Sequence, residues 1–82
     1  MREHRAQIAR VEHLLTRREI EVMLRVANGL SNKDVGNQLN ISEGTIKIHL
    51  NNIYHKIGIN NRTALANFAI AYRDKLMTNE LS

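Results

Sequence analysis

Helix-start signals recur along this chain and constrain its fold more than any other sequence feature. Thr16, with Glu19 three residues later, forms a capping box, and Ser31 and Ser42 are further N-caps, each flanked by apolar residues at hydrophobic-staple spacing. Asn61 is a fourth N-cap, before an alanine-rich stretch. The 82 residues include no proline, so a helix can follow every cap. These signals predict an all-α domain whose four helices span residues 17–28, 32–39, 43–57 and 62–76.

The predicted helix ends are marked by residues that tolerate a left-handed backbone. Gly29 and Gly58 follow the first and third predicted helices, and Asn40 follows the second. Only Asn40, Ile41 and Ser42 separate the second helix from the third. A connection of about three residues is typical of a helix-turn-helix, so the sequence predicts that motif at its centre.

Two interpretations of residues 1–15 remain open. Ile8, Val11 and Leu15 recur at helical spacing among charged residues. This pattern fits either an amphipathic helix or a linker that becomes ordered only against a partner. The chain is therefore divided into three parts: a linker or N-terminal helix over 1–15, the helix-turn-helix domain over 16–77, and a frayed tail over 78–82.

The predicted helix over residues 43–57 has an unusual outer face. The face opposite its apolar core stripe carries glycine, isoleucine, asparagine and histidine, where a plain surface helix would place Glu and Lys. Amides can bond base edges, an aliphatic side chain can contact a thymine methyl group, and glycine allows close approach of the backbone. The alternative is an ordinary polar surface with one stray apolar residue. The outer-face residues are Gly44, Ile48, Asn51, Asn52 and His55.

Positive charge is concentrated in the second half of the chain. The formal net charge is +4, from 12 Lys and Arg against 8 Asp and Glu, and residues 44–73 contain no acid. Lys47, Lys56, Arg62 and Arg73 lie in that stretch, which suits a surface that contacts phosphates. Helix N-termini also favour phosphate oxygens. The candidates near predicted helix N-termini are Asn32, Lys33 and Thr45.

A long ordered set of residues carries a family resemblance. The set comprises Leu15-Thr16, Arg18-Glu19, Glu21-Val22, Ala27 to Val35, Ile41-Ser42, Thr45 to His49, Asn52-Ile53, Lys56 to Gly58, Asn61-Arg62 and Ala64. Over residues 15–76 it resembles the LuxR-type (GerE) DNA-binding domain, the output domain of NarL/FixJ-type response regulators. The resemblance implies a four-helix domain that regulates bacterial transcription. Its third helix would enter the major groove, and its fourth would pair with a second copy on a pseudo-palindromic site.

The resemblance also assigns expected roles to individual residues. The base-contact candidates are Lys47, Ile48 and Asn51. The candidates for contacts to the DNA backbone are Thr45, Asn32, Lys33, Asn52, His55, Lys56 and Arg62. The expected dimer interface consists of Ala66, Ile70, Arg73 and Met77. Two departures matter: Asn51 stands where many relatives carry a basic residue, and Gly36 replaces the usual alanine, which should soften its helix by roughly 0.5–1 kcal/mol.

Two apolar stripes lie outside the predicted core. Ile20 and Leu24 form one on the first predicted helix, and we expect the N-terminal segment to fold over it. Ala66, Ile70 and Met77 form a narrower stripe on the last helix, where small and apolar side chains would let two copies approach across a two-fold axis. The alternative for this second stripe is a wide core face that wraps over the first predicted helix.

Composition and spacing exclude most other classes of function. The chain has no cysteine, and His49 and His55 point about 120° apart on one helix, so we expect no disulfide and no metal site. No catalytic triad, carboxylate pair or glycine-rich phosphate loop is visible. We therefore expect no enzymatic activity, no cofactor and no small-molecule ligand.

The expected partners are double-stranded DNA, a second copy of the chain and RNA polymerase. No apolar run approaches the roughly 18 residues of a membrane span, and no signal-peptide region follows the charged start, so we expect no membrane association and a cytoplasmic location. The segment over 1–15 resembles the end of an interdomain linker, which fits an excised output domain or a small stand-alone regulator. The alternative function is a small helical protein-interaction module without DNA binding, while a membrane-surface peptide is disfavoured because caps, staples and a core account for the apolar positions.

Overall fold

Five helices make up the part of the chain that the structure describes. A computed structural model gives the backbone of residues 2–81 and the side chains of residues 5–78. Over that range the chain is all-helical and contains no strand. The helices are α1 (Arg2–Leu14), α2 (Arg17–Ala27), α3 (Asn32–Leu39), α4 (Glu43–Ile57) and α5 (Arg62–Leu81). The all-α prediction is confirmed, and the segment before the first cap is helical.

All four predicted N-caps are present. The Thr16 hydroxyl accepts a hydrogen bond from the Glu19 N–H at 3.1 Å, and the Glu19 carboxylate accepts one from the Thr16 N–H at 2.8 Å, which completes the capping box. The hydroxyls of Ser31 and Ser42 each accept from the N–H three residues later at 3.1 Å. The Asn61 side-chain oxygen accepts in the same way at 2.8 Å. Because each cap satisfies an N–H that has no partner within its helix, the helices begin where the sequence predicts.

The predicted stops also adopt the left-handed backbone. Gly29, Asn40 and Gly58 have φ angles of 86°, 60° and 77°. α2 ends at Ala27, one residue earlier than predicted, because Asn28 serves as its C-cap. The Asn40 stop leaves three residues between α3 and α4, and these two helices pack against each other as a helix-turn-helix.

α2 is the central element of the core. It packs against α3, α4 and α5. Its inward side chains, Val22, Met23 and Val26, are buried. The other helices contribute apolar residues at the positions that helical periodicity selects, so burial fixes which face of each helix turns inward. The remaining buried apolar residues are Ile8, Leu15, Val35, Ile46, Leu50, Ile53, Leu65, Ala69 and Tyr72.

α1 packs mainly against α5. The expectation that the N-terminal segment folds over Ile20 and Leu24 stays a prediction; both of these side chains are half-buried and pack against the core that contains Ile8 and Leu15. On α5, Tyr72 offers α1 a large apolar ring and a polar tip. The Glu12 carboxylate of α1 lies close to the Tyr72 phenol. Burial, and then this neighbouring carboxylate, raise the pKa of the Tyr72 phenol.

α5 is longer than the sequence predicts. Its end was expected near Leu76, but the helix reaches Leu81. No glycine or proline follows Leu76, and the Thr78 hydroxyl donates to the Asp74 carbonyl at 2.9 Å. The tail expected to fray over 78–82 is thus helical as far as Leu81, and Ser82, like Met1, lies outside the described residues.

Gly36 lies where α3 meets the turn into α4. A Cβ atom at this position would lie 2.5 Å from the Ile41 carbonyl oxygen. The Ile41 N–H donates to the Gly36 carbonyl at 2.8 Å. Glycine therefore permits a close approach between helix and turn, which offsets the softening expected from its effect on helix stability.

Candidate nucleic-acid interface

The outer face of α4 is an exposed functional candidate. At about 100° per residue, its predicted site residues fall within an arc of about 140°, opposite the buried stripe. All of them are exposed, and Ile48 keeps 59% of its surface accessible. None of these side chains has a polar or ionic partner among the described residues. The face consists of Lys47, Ile48, Asn51, Asn52 and His55.

The N-terminus of α4 presents backbone N–H groups beside this face. The Ser42 hydroxyl caps the helix and also donates to the Thr45 hydroxyl at 2.9 Å. Thr45 is half-buried and lies at the edge of the exposed face. The positive end of the helix dipole and the uncapped N–H groups favour an anion at this end.

Two predicted backbone-contact residues, Asn32 and Arg62, are bonded to each other. Arg62 Nη1 donates to Asn32 Oδ1 at 2.7 Å, and its Nη2 donates to the Leu30 carbonyl at 2.7 Å. These bonds connect the start of α5 to the start of α3. Arg62 is exposed and has five N–H donors, so donors remain for a phosphate. Lys33, the neighbour of Asn32, is exposed and has no partner among the described residues.

Lys56 has a structural partner that the sequence did not predict. Its Nζ donates to Glu19 Oε1 at 2.8 Å, across 37 residues of chain. Glu19 is only 3% exposed and is the one buried charged residue in the described part of the chain. Burial opposes ionisation of Glu19, but the hydrogen bond from Lys56 and the bonds from Thr16 outweigh it, and they lower the pKa of this carboxyl. Lys56 therefore ties the end of α4 to the start of α2.

The predicted dimer residues share one side of α5. Ala66 and Ile70 are half-buried, whereas Met77 is 55% exposed. Arg73 is half-buried, and its Nη1 donates to Asn28 Oδ1 at 3.3 Å, so it also contacts the end of α2. α1 packs along a different side of the same helix. The stripe is thus left uncovered by α1.

The structure brings together most, but not all, of the predicted site. The base-contact candidates and Asn52 and His55 share one face, with Thr45 at its edge. Lys56 and Arg62 spend donors on internal bonds instead. Glu19 and Asn28 are the partners that sequence reasoning missed. A signal for Glu19 did exist, since an acid in a capping box next to a buried stripe is a candidate for a distant cation.

No group of three histidine or carboxylate side chains in the described part of the chain could hold a metal ion. No helix within residues 2–81 is both long and apolar enough to cross a membrane.

Comparison with known proteins gives a consistent family. Residues 13–69 match the family of bacterial regulatory proteins described as the luxR family. The transcriptional regulatory protein LnrK of Bacillus subtilis is 43% identical over 58 residues, which cover 71% of this chain and 26% of LnrK. The nitrate/nitrite response regulator protein NarP of Escherichia coli is 45% identical over 51 residues, covering 62% of this chain and 24% of NarP. The transcriptional regulatory protein DegU of Brevibacillus brevis is 49% identical over 51 residues, covering 62% of this chain and 22% of DegU.

These relatives are much longer than the matched region. The alignments span about a quarter of the length of each of these curated relatives. No solved structure gives a significant match to the chain.

Proposed function

The chain belongs to the luxR family of bacterial regulatory proteins, and from this premise we propose that the outer face of α4 reads base edges in the major groove of double-stranded DNA. Family and relatives make the chain a DNA-binding domain for transcription regulation and not an enzyme. The observation that carries the proposal is the unpartnered face of Lys47, Ile48 and Asn51 on a helix that is otherwise well packed.

The dimensions of α4 support this placement. Its 15 residues span about 22 Å, and an α-helix with side chains is about 10–12 Å across, close to the roughly 12 Å width of the major groove. Lys47 can donate to guanine, the Asn51 amide can pair with adenine, and Ile48 can contact a thymine methyl group. A contact with thymine would thus account for an isoleucine at an exposed position.

Phosphate contacts would fix the position of α4 in the groove. Thr45 lies at the α4 N-terminus, Lys33 at the start of α3, and Asn52 and His55 flank the base-reading residues. Contacts of this kind set the register of a protein on DNA without reading sequence. Arg62 would contribute its remaining donors while it holds Asn32 in place, and Lys56 would contribute less because Glu19 already binds its ammonium group.

We further propose that two copies bind one site through the α5 stripe of Ala66, Ile70, Arg73 and Met77. Met77 is exposed, and Ala66 would permit close helix approach. A two-fold dimer would place its α4 helices about 34–36 Å apart, and its site would be pseudo-palindromic.

The wider setting is also a proposal. LnrK and DegU are transcriptional regulatory proteins, and NarP is a response regulator. By analogy this domain would act in the cytoplasm as the output domain of a two-component regulator and would influence RNA polymerase at its target sites.

Selection of bound sites from random duplex DNA tests the base-reading proposal. We expect a recurrent, two-fold symmetric sequence, bound with an affinity that falls steeply as salt rises. Lys47→Ala and Asn51→Ala should each cost about 1–3 kcal/mol of binding and relax the preference at one base position. Lys75→Ala on α5 is the control, since it removes one positive charge away from the α4 face.

Two outcomes would contradict the base-reading proposal. Equal losses for Lys47→Ala and Lys75→Ala would mean that only net charge matters. An absence of salt-dependent affinity would favour the alternative of a protein-interaction module without DNA binding.

A separate variant tests the dimer. Met77→Asp should reduce the affinity for the full site towards that for a half-site, because an acid in an apolar two-fold contact meets its own copy. Asn67→Asp adds the same charge to another exposed position of α5 and should leave full-site binding within about twofold. Identical behaviour of the two variants would argue against an interface at the α5 stripe.

A further inference from the structure

A groove lies between α1, the end of α4 and α5, outside the α4 face described above. Its volume is about 230 Å³. It adjoins a smaller hollow of about 50 Å³, and the two share Gln7, Val11, Phe68 and Lys75. A closed cavity of about 150 Å³ is enough to hold benzene, so the groove can accept a large apolar side chain.

The floor of the groove is apolar and open to solvent. Val11 and Leu14 of α1 form one side of this floor, and Ile57 and Phe68 form the other side. Leu14 is 41% exposed, whereas Val11, about one turn earlier in α1, is half-buried. An exposed leucine opposite a half-buried phenylalanine leaves apolar area that a partner could cover.

The rim of the groove is positively charged. Arg10, Lys56 and Lys75 line it, and no acidic residue in the described part of the chain does so. Lys56 is bound to Glu19, but Arg10 and Lys75 have no ionic partner among the described residues. The free cations lie on opposite sides of the groove, on α1 and α5, so an occupant would meet positive charge on both sides.

Gln7 adds a hydrogen-bond acceptor that has no donor. Its Oε1 is buried and is unpaired among the described residues. A buried acceptor without a partner costs free energy, which an occupant carrying an N–H group would recover once the Gln7 side chain turns its Oε1 towards the groove. A backbone amide meets this requirement, whereas the acyl chain and carboxylate of a fatty acid do not.

We propose that this groove binds a short acidic segment of a partner protein. A large apolar side chain of that segment occupies the floor, its carboxylates pair with Arg10 and Lys75, and a backbone N–H donates to Gln7 Oε1. The groove reaches α4 only at Lys56 and Ile57, at least five residues or about 7.5 Å along the helix axis beyond the base-reading residues, so DNA and the acidic segment bind together.

Fluorescence anisotropy with defined peptides tests the proposal on the 82-residue chain. The probe is a fluorescein-labelled peptide with one central phenylalanine flanked by aspartates and with both ends blocked. We expect saturable binding that weakens with salt, and about tenfold or greater losses with Lys75→Glu and with Leu14→Asp. Matched peptides, one with serine for phenylalanine and one with lysines for the aspartates, should bind at least about tenfold more weakly.

The control is a pair of variants that separates peptide binding from DNA binding. Lys33→Glu, on the exposed start of α3, should weaken DNA binding and leave peptide binding within about twofold, and Lys75→Glu should do the reverse. Three results would overturn the proposal: peptide binding that ignores Leu14→Asp and Lys75→Glu, equal or tighter binding of laurate or anionic lipid vesicles, and self-association of the chain that Leu14→Asp abolishes. Loss of DNA binding in the parent chain would count against the proposed DNA reading alone.

Discussion

The lysines near the two ends of α4 differ in their exposure and in their hydrogen-bond partners. Near its start, Lys47 is exposed and has no partner among the described residues. Near its end, Lys56 donates to the buried carboxylate of Glu19 at 2.8 Å. Both are lysines on one helix in an acid-free stretch, so sequence alone gives them similar roles.

This difference separates reading DNA from holding the reading helix in place. A cation that is to bind a phosphate or a base must keep its donors free, which costs nothing at an exposed position. A cation that neutralises a buried carboxylate is needed for stability, because removing it leaves an unpaired charge. We therefore expect substitutions at the start of α4 to change DNA binding and substitutions at its end to change folding.

The largest expected effect is on stability, from Lys56→Met. This change leaves Glu19 buried without its cation, and we expect the free energy of unfolding to fall by about 2–3 kcal/mol in urea titrations at neutral pH. The solvent-accessible position of Lys56 keeps the loss below that of a fully buried pair. Lys47→Met is the matched control and should change stability by less than about 0.5 kcal/mol.

Equal stability losses for the two lysine variants would break the comparison. A double variant, Glu19→Gln with Lys56→Met, sharpens it further. Because the buried charge is then gone, the double variant should be more stable than Lys56→Met alone.

The second prediction concerns pH and follows from the lowered pKa of Glu19. A carboxyl whose pKa is lower when folded stabilises the fold above its unfolded value and loses that contribution as pH falls through the folded value. The ordinary value is 4.5, so the window lies below it. The difference in unfolding free energy between the parent chain and Lys56→Met should shrink as pH falls through this window. Chemical denaturation at pH values from 7 downwards measures this difference in unfolding free energy. A difference that stays constant would show that ionised Glu19 does not cause the stability loss of Lys56→Met.

Predictability from sequence followed the distance between interacting residues. The capping box of Thr16 and Glu19 joins residues three apart, so the motif alone predicts it. The bond between Lys56 and Glu19 spans 37 residues and depends on how α4 lies against α2, which no local pattern fixes. The sequence already assigned Glu19 to a capping box and Lys56 to a contact with the DNA backbone, so it gave no reason to expect a contact between the two residues.

The sequence also could not predict which helix packs against α1. The spacing of Ile8, Val11 and Leu15 predicts a buried face on α1 but does not say which helix covers it. Two candidate surfaces were present, on α2 and on α5, and α1 packs mainly against α5, where Glu12 lies close to Tyr72. On α4, by contrast, periodicity alone predicts the outer face, because the burial of one stripe fixes the exposure of the opposite one.

The third prediction compares two isoleucines of α4. Ile48→Ala should cost about 1 kcal/mol of affinity for the selected DNA site and leave unfolding within about 0.5 kcal/mol, because the side chain is 59% exposed. Ile53→Val removes one methyl group from a fully buried position and should cost about 0.5–1.5 kcal/mol of stability with DNA affinity unchanged. Equilibrium binding and urea unfolding on the same preparations check both. If Ile48→Ala destabilised the fold as much as Ile53→Val, the outer face of α4 would not be free.

The smallest expected effect comes from two glycines at either side of the turn. At Gly44, a new Cβ would meet only the Ser42 hydroxyl oxygen, at 4.0 Å, so Gly44→Ala should stabilise the chain by about 0.5 kcal/mol through helix propensity. At Gly36, the Cβ would lie 2.5 Å from the Ile41 carbonyl oxygen, a backbone atom that moves only with the turn. Gly36→Ala should therefore give none of this gain. Thermal unfolding of the two variants resolves the difference, and an equal gain at both positions would show that the turn between α3 and α4 yields easily.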